Sequence, residues 1–177
     1  PHPTLLARRS ALDAVGGYRD AGWPEDYDLV LRLWAAGLRI GKTTEVLLDW
    51  RERPDRLSRT DARYHAASFR RCKIHFLERT LLRARPDVLI CGAGPVGKAF
   101  ARDLQARGFR IHAFCELDPR KIGQLIHGAA VIGYGALGAP DGVFAIAAVA
   151  GQSPRAAIRA ALAARGWLDG RDFCAVG

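Results

Sequence analysis

Three glycines, Gly92, Gly94 and Gly97, stand at G-x-G-x-x-G spacing directly after the short apolar run Val88 to Cys91. Phosphate binding is the chemistry such a turn serves. Gly92 bends the chain, Gly94 lets backbone approach a pyrophosphate, and Gly97 lets the next helix pack close on the strand. Pro95 suits a first helical position, where no amide hydrogen is needed. The amide dipoles of that helix then point at the anion. Past these glycines, Glu116 closes a second apolar run, Arg110 to Cys115. An acid at that strand end, about twenty residues on, accepts hydrogen bonds from a ribose. Gly151 and Ser153 follow the most apolar run, Val143 to Ala150, and are expected to form the opposite wall of the crevice.

The elements that must position these residues follow from apolar spacing. Val88 to Cys91 reads as a buried parallel strand, and Val96, Phe100 and Leu104 give one helical face that stops at Gly108. Asp118 to Leu125 reads as a short helix, Ala129 to Ile132 as a strand, and Gly133 to Gly142 as a glycine-rich connection. A helix capped by Ser153, with Pro154 at its first position, runs to Arg165, and Asp172 to Val176 is the last strand. Strands alternating with helices argue for a Rossmann-like α/β unit with a parallel sheet. A unit that keeps these glycines for packing and binds nothing is the competing reading.

Upstream, Pro3 to Ala7 reads as a strand, and Ser10 as the cap of a helix over Ala11 to Val15 closed by Gly16-Gly17. Glu25, Asp26 and Asp28 open a second helix, where the dipole alone could explain the acids. Gly37 ends it. Arg39 to Trp50 reads as extended chain, and Asp61 to about Arg83 as one long helix. Pro86 pushes its predecessor out of helix, which places the junction between two domains, 1–82 and 86–177, at residues 82 to 86.

The 177 residues suffice for one good core or two small ones. No run approaches the ~20 apolar residues of a membrane span. With no methionine, the chain is expected to be a piece of a longer protein. Cys72, Cys91, Cys115 and Cys174 show no metal-ligand spacing, which points to reduced, buried thiols in the cytosol, and no metal residue is assigned. Net charge is +9, and residues 51 to 85 hold eleven Arg or Lys against four Asp or Glu. Such a band favours anions or an acidic membrane surface over specific nucleic acid, for which no accompanying motif exists.

The first eighty residues resemble the C-terminal half of a family-2 glycosyltransferase of the GT-A fold, in motifs that cover nearly all of residues 1 to 60. The likeness rests on Pro3-Thr4-Leu5-Leu6-Ala7-Arg8-Arg9, Val15-Gly16-Gly17-Tyr18-Arg19, Glu25-Asp26-Tyr27-Asp28-Leu29 with Arg32-Leu33, and Arg56-Leu57-Ser58-Arg59. It implies that Asp26 is the general base for an acceptor hydroxyl, with Glu25 its neighbour in acceptor binding and Asp28 pointing elsewhere. It implies a nucleotide-sugar donor and a glycan or lipid-linked acceptor. The N-terminal half-sheet and Asp-x-Asp metal motif of such enzymes are missing, so a divalent metal would belong to a full-length parent only, and this chain alone is expected to be inactive. Residues 86 to 177 resemble the Rossmann-like N-terminal domain of bacterial acetyltransferases acting on nucleotide-linked amino sugars. That likeness is carried by the glycine turn, Glu116-Leu117-Asp118-Pro119, and Ile126-His127-Gly128 before Val131-Ile132-Gly133.

Together these lead to one expectation: part of an inverting glycosyltransferase of polysaccharide synthesis, joined to a domain binding a nucleotide, either a UDP-sugar or NAD. A non-catalytic nucleotide-sensing module is the alternative. An NAD-dependent oxidoreductase is disfavoured, because no Tyr-x-x-x-Lys constellation is present. His127 is read as a turn residue or a phosphate contact, and Trp50-Arg51 as a core pair or a substrate contact.

Overall fold

The computed structural model describes residues 4–49, 51 and 55–177. Compactness divides the chain into two units, residues 1–76 and residues 77–177. The first contains helices α1 (Arg9–Ala14), α2 (Glu25–Ala35) and α3 (Leu57–Thr60), and most of α4 (Ala66–Arg79). The division falls inside α4.

Among its described residues the first unit has no strand, so the partial GT-A-type α/β segment is not formed. Residues 4 to 7 are not a strand, and α1 begins at Arg9 without a side-chain cap, not behind Ser10. Residues 39 to 49 adopt no regular structure, and Val46 and Leu47 are 87% and 76% exposed. The expected long helix is interrupted. The Asp61 carboxylate accepts from the Arg63 amide at 2.8 Å and caps a 3-10 turn, Ala62–Tyr64. His65 then takes an extended conformation before α4 starts. A side chain that captures a backbone amide competes with helix, and here it wins. Trp50 and Pro3 lie outside the described residues.

The second unit is a six-stranded sheet in the order β3-β4-β2-β1-β5-β6. The strands are β1 (Asp87–Cys91), β2 (Arg110–Glu116), β3 (Leu125–Ile126), β4 (Ala129–Gly133), β5 (Phe144–Ala147) and β6 (Phe173–Ala175). All neighbours pair in parallel except β3 with β4. Helices α5 (Pro95–Gln105) and α6 (Gln152–Ala163) follow β1 and β5. Val88, Leu89, Ile90, Phe114, Phe144 and Ile146 are fully buried, as befits strands covered on both faces. Leu89, Cys91, Ala145 and Ala147 pack with Ile158 and Leu162 of α6, whereas Ile90 faces Gly97 of α5. The two helices therefore cover opposite faces.

Two local differences have clear causes. The expected helix from Asp118 to Leu125 is only a 3-10 turn, Pro119–Lys121, because the chain turns at once into the β3–β4 hairpin. The hairpin loop is His127-Gly128, with φ of 50° and 79°. Two successive positive φ values match the right-handed twist of the strands. His127 is thus a turn residue, a role more familiar for Asn before Gly.

In the first unit one ion pair organises the packing. Asp28 is fully buried and Arg32, one helical turn on, is 8% exposed. The Arg32 Nε donates to Asp28 Oδ2 at 2.6 Å, and its two terminal nitrogens donate to the Val15 and Gly17 carbonyls at 2.5 and 2.6 Å. Trp23 Nε1 donates to Asp28 Oδ1 at 2.9 Å and Arg19 Nε to Oδ2 at 3.2 Å. Burial alone would raise the Asp28 pKa, but bonds from Trp23, Arg32 and Arg19 outweigh it and hold it below the ordinary carboxylate range. A depressed folded pKa contributes stability that is present above the unfolded value, ~3.9, and lost as pH falls through the folded one. Asp28→Ala should destabilise the first unit by about 3–5 kcal/mol, since it strands Arg32. Thermal melts followed from neutral to acid pH check both the loss and its disappearance in the variant.

Candidate functional site

The parallel sheet places the carboxyl ends of β1, β2 and β5 side by side, with β1 in the middle. Winding reverses between β1 and β5, which opens a crevice there. The glycine turn lies at this edge. Gly92 has φ of 109°, a region open to few residues besides glycine. A Cβ on Gly92 would overlap the Val149 side chain, just beyond β5. A Cβ on Gly97 would overlap the Gly92 carbonyl oxygen. These two glycines are explained by packing alone. Gly94 is not. It is the N-cap of α5, with φ −86° and ψ −175°, and a Cβ there meets nothing within 4 Å. Free space thus lies beside the first turn of an 11-residue helix whose initial turn carries no acid.

Glu116 stands at the end of β2 beside this turn. Its Oε2 accepts from the Ala93 amide at 3.0 Å and from Lys121 Nζ at 3.0 Å. Its Oε1 accepts from the Leu117 amide at 2.9 Å and the Asp118 amide at 3.3 Å. Burial would raise its pKa, but the bonds from Ala93, Lys121, Leu117 and Asp118 hold it below the ordinary value. Glu116 is therefore a fixed anion. Lys121 is the participant that composition and spacing did not single out. It lies on the turn after Asp118-Pro119.

Gly151, with φ of 92°, is the N-cap of α6, and Ser153 is an exposed residue of its first turn, not its cap. Both follow the carboxyl end of β5. Behind the turn, Cys91 and Cys115 are register partners on β1 and β2, both free and buried. Burial pushes each thiol up to about 12, far from a reactive thiolate. The buried Tyr134 hydroxyl lies against the Cys91 thiol in the same layer. A groove of about 500 Å³ lined by Arg83, Arg85 and Arg171 adjoins the amino ends of β1 and β6, away from the glycines. Its Arg85 is committed to the Arg171 carbonyl at 2.6 Å and to the Phe144 ring.

In the first unit, Glu25 is engaged by the Tyr64 hydroxyl, which donates at 2.7 Å. Asp26 Oδ1 accepts from the adjacent Tyr27 amide at 2.7 Å. The carboxylate that matters to the packing is Asp28, and its signal was the i, i+4 spacing to Arg32. Among the described residues no cluster of three His, Cys, Asp or Glu could hold a metal, and no helix is long and apolar enough to cross a membrane.

No family model matches the sequence, and no curated protein matches it. Among solved structures the chain is similar to a Rex-family repressor, at 14% identity and a TM-score of 0.44, over 97% of this chain and 87% of that one. Likeness of that degree carries no argument about ligand or partner. The expected resemblance to a glycosyltransferase joined to an acetyltransferase-type domain does not stand. No family model supports it, and among the described residues the strands expected in the first unit are not formed. The catalytic roles of Asp26 and Glu25 rested on that resemblance alone and lose its support. What the sheet defines is a mostly parallel, Rossmann-like α/β unit at residues 77–177.

The glycine geometry predicts opposite outcomes at two positions of one motif. Gly97→Ala should lower stability by about 1–3 kcal/mol or prevent folding, because backbone must move to admit the methyl. Gly94→Ser should leave the melting temperature within about a degree of wild type, since serine is a favoured N-cap and the space is open. Thermal denaturation of the two variants checks the contrast.

Proposed function

We propose that residues 77–177 bind a nucleotide of the NAD type and that the chain works as a non-catalytic nucleotide-sensing module. The diphosphate lies over Gly92 to Gly97, its charge met by the amides and dipole at the start of α5. A ribose hydroxyl reaches Glu116. Gly151 and Ser153 flank the other side of the crevice. One observation carries this reading: Gly94 is required neither by its backbone conformation nor by a neighbour, and it leaves open the space that a phosphate oxygen needs. The competing reading, glycines kept for packing, accounts for Gly92 and Gly97 but not for Gly94. Glu116, ionised and with four donors on it, supports a holding role rather than proton transfer.

Calorimetry of the chain against NAD, UDP and UDP-sugars tests the proposal. NAD should give measurable heat. Gly94→Val should abolish it while the circular dichroism spectrum is retained. Glu116→Ala should weaken binding by about 1.5–3 kcal/mol, the scale of a charge-assisted hydrogen bond. No heat and no thermal shift with any of the ligands at millimolar concentration would leave the packing explanation in possession.

A further inference from the structure

We infer that Lys121 competes with the ribose for Glu116 and thereby sets which ribose the site accepts; this rests on the nucleotide-binding reading above. A carboxylate offers about four acceptor positions. On Glu116 all four are taken, by the Ala93, Leu117 and Asp118 amides and by Lys121 Nζ. A ribose hydroxyl that donates to Glu116 must therefore displace a donor. The three amides belong to backbone held by the turn and by the end of β2, so they cannot leave without unfolding the loop. Lys121 can. Its side chain is 38% exposed, against 12% for Glu116, and its ammonium ends a flexible four-carbon stem. The bond at 3.0 Å is thus the displaceable one.

Displacement has two consequences of opposite sign. For a nucleotide with a free 2′-hydroxyl, Lys121 is a competitor, and binding must first break an ion pair. For a nucleotide with a 2′-phosphate, the same ammonium, once swung off Glu116, stands beside the phosphate and offsets its repulsion by the carboxylate. Lys121 therefore narrows the preference between the two ribose forms. Asp118 is engaged by Arg120, whose amide and Nε donate to Oδ1 at 3.1 and 2.9 Å and whose terminal nitrogen donates to Oδ2 at 2.8 Å.

The test is calorimetry of the whole chain and its Lys121→Met and Lys121→Arg variants against NAD and NADP. Lys121→Met should bind NAD about two- to fivefold more tightly, the scale of one partly exposed ion pair. It should bind NADP more weakly, so that the ratio of the two affinities moves further than either alone. Lys121→Arg should restore the wild-type ratio, and all three should melt together. If wild type binds NAD and Lys121→Met changes neither affinity, or weakens both equally, the inference is overturned while the nucleotide-binding proposal survives. If wild type binds neither, both are overturned. The Ala93 amide gives a further readout by NMR: NAD should shift it in wild type, and Lys121→Met alone should shift it little.

Discussion

The contact between Gly97 and the Gly92 carbonyl is the constraint on which the second unit's site depends. Only a residue without a side chain lets α5 begin so close to the end of β1. That closeness aims the first turn of the helix along the carboxyl edge of the sheet. It also holds the Ala93 amide where Glu116 can accept it at 3.0 Å. Strand, turn, helix and the acid of the neighbouring strand are thereby locked into one rigid corner. On the nucleotide-binding reading proposed above, such a corner presents amides that need no rearrangement on binding.

A different solution holds the first unit. With no sheet among its described residues, it relies on a buried charge pair. Asp28 and Arg32, bonded to each other within α2, tie the 15–17 turn and the 19–23 loop to it through four further hydrogen bonds. A buried ion pair adds little net stability over an apolar substitute, but it demands partners at fixed positions. Here those partners are backbone carbonyls, so the pair dictates where irregular chain lies. Of the acids at the start of α2, Asp28 thus serves architecture. Glu25 and Asp26 are spoken for by Tyr64 and by the Tyr27 amide.

Much of the second unit was legible in the chain. Each long strand and both helices are marked by apolar periodicity, glycine stops and Pro95, and these are local signals that survive in any context. The hairpin of β3 and β4 was not. Leu125-Ile126 is too brief to show a period, and His127-Gly128 is an unusual pair for a tight hairpin. In the first unit the tyrosine, phenylalanine and leucine spacing between Asp61 and Arg83 promised one helix. It could not show that the Asp61 carboxylate would take a backbone amide for itself.

Spacing and residue type alone specify that a glycine turn follows a buried strand and that an acid ends the next one. Only the tertiary structure separated the three glycines into two that packing requires and one that leaves space, since that distinction depends on what a missing side chain would touch. The tertiary structure likewise decided that Glu116 is saturated by four donors, Lys121 among them. Hydrogen-bond partners brought together by a sheet edge and a turn leave no periodic trace in the chain, and distance in space, not in sequence, governs them.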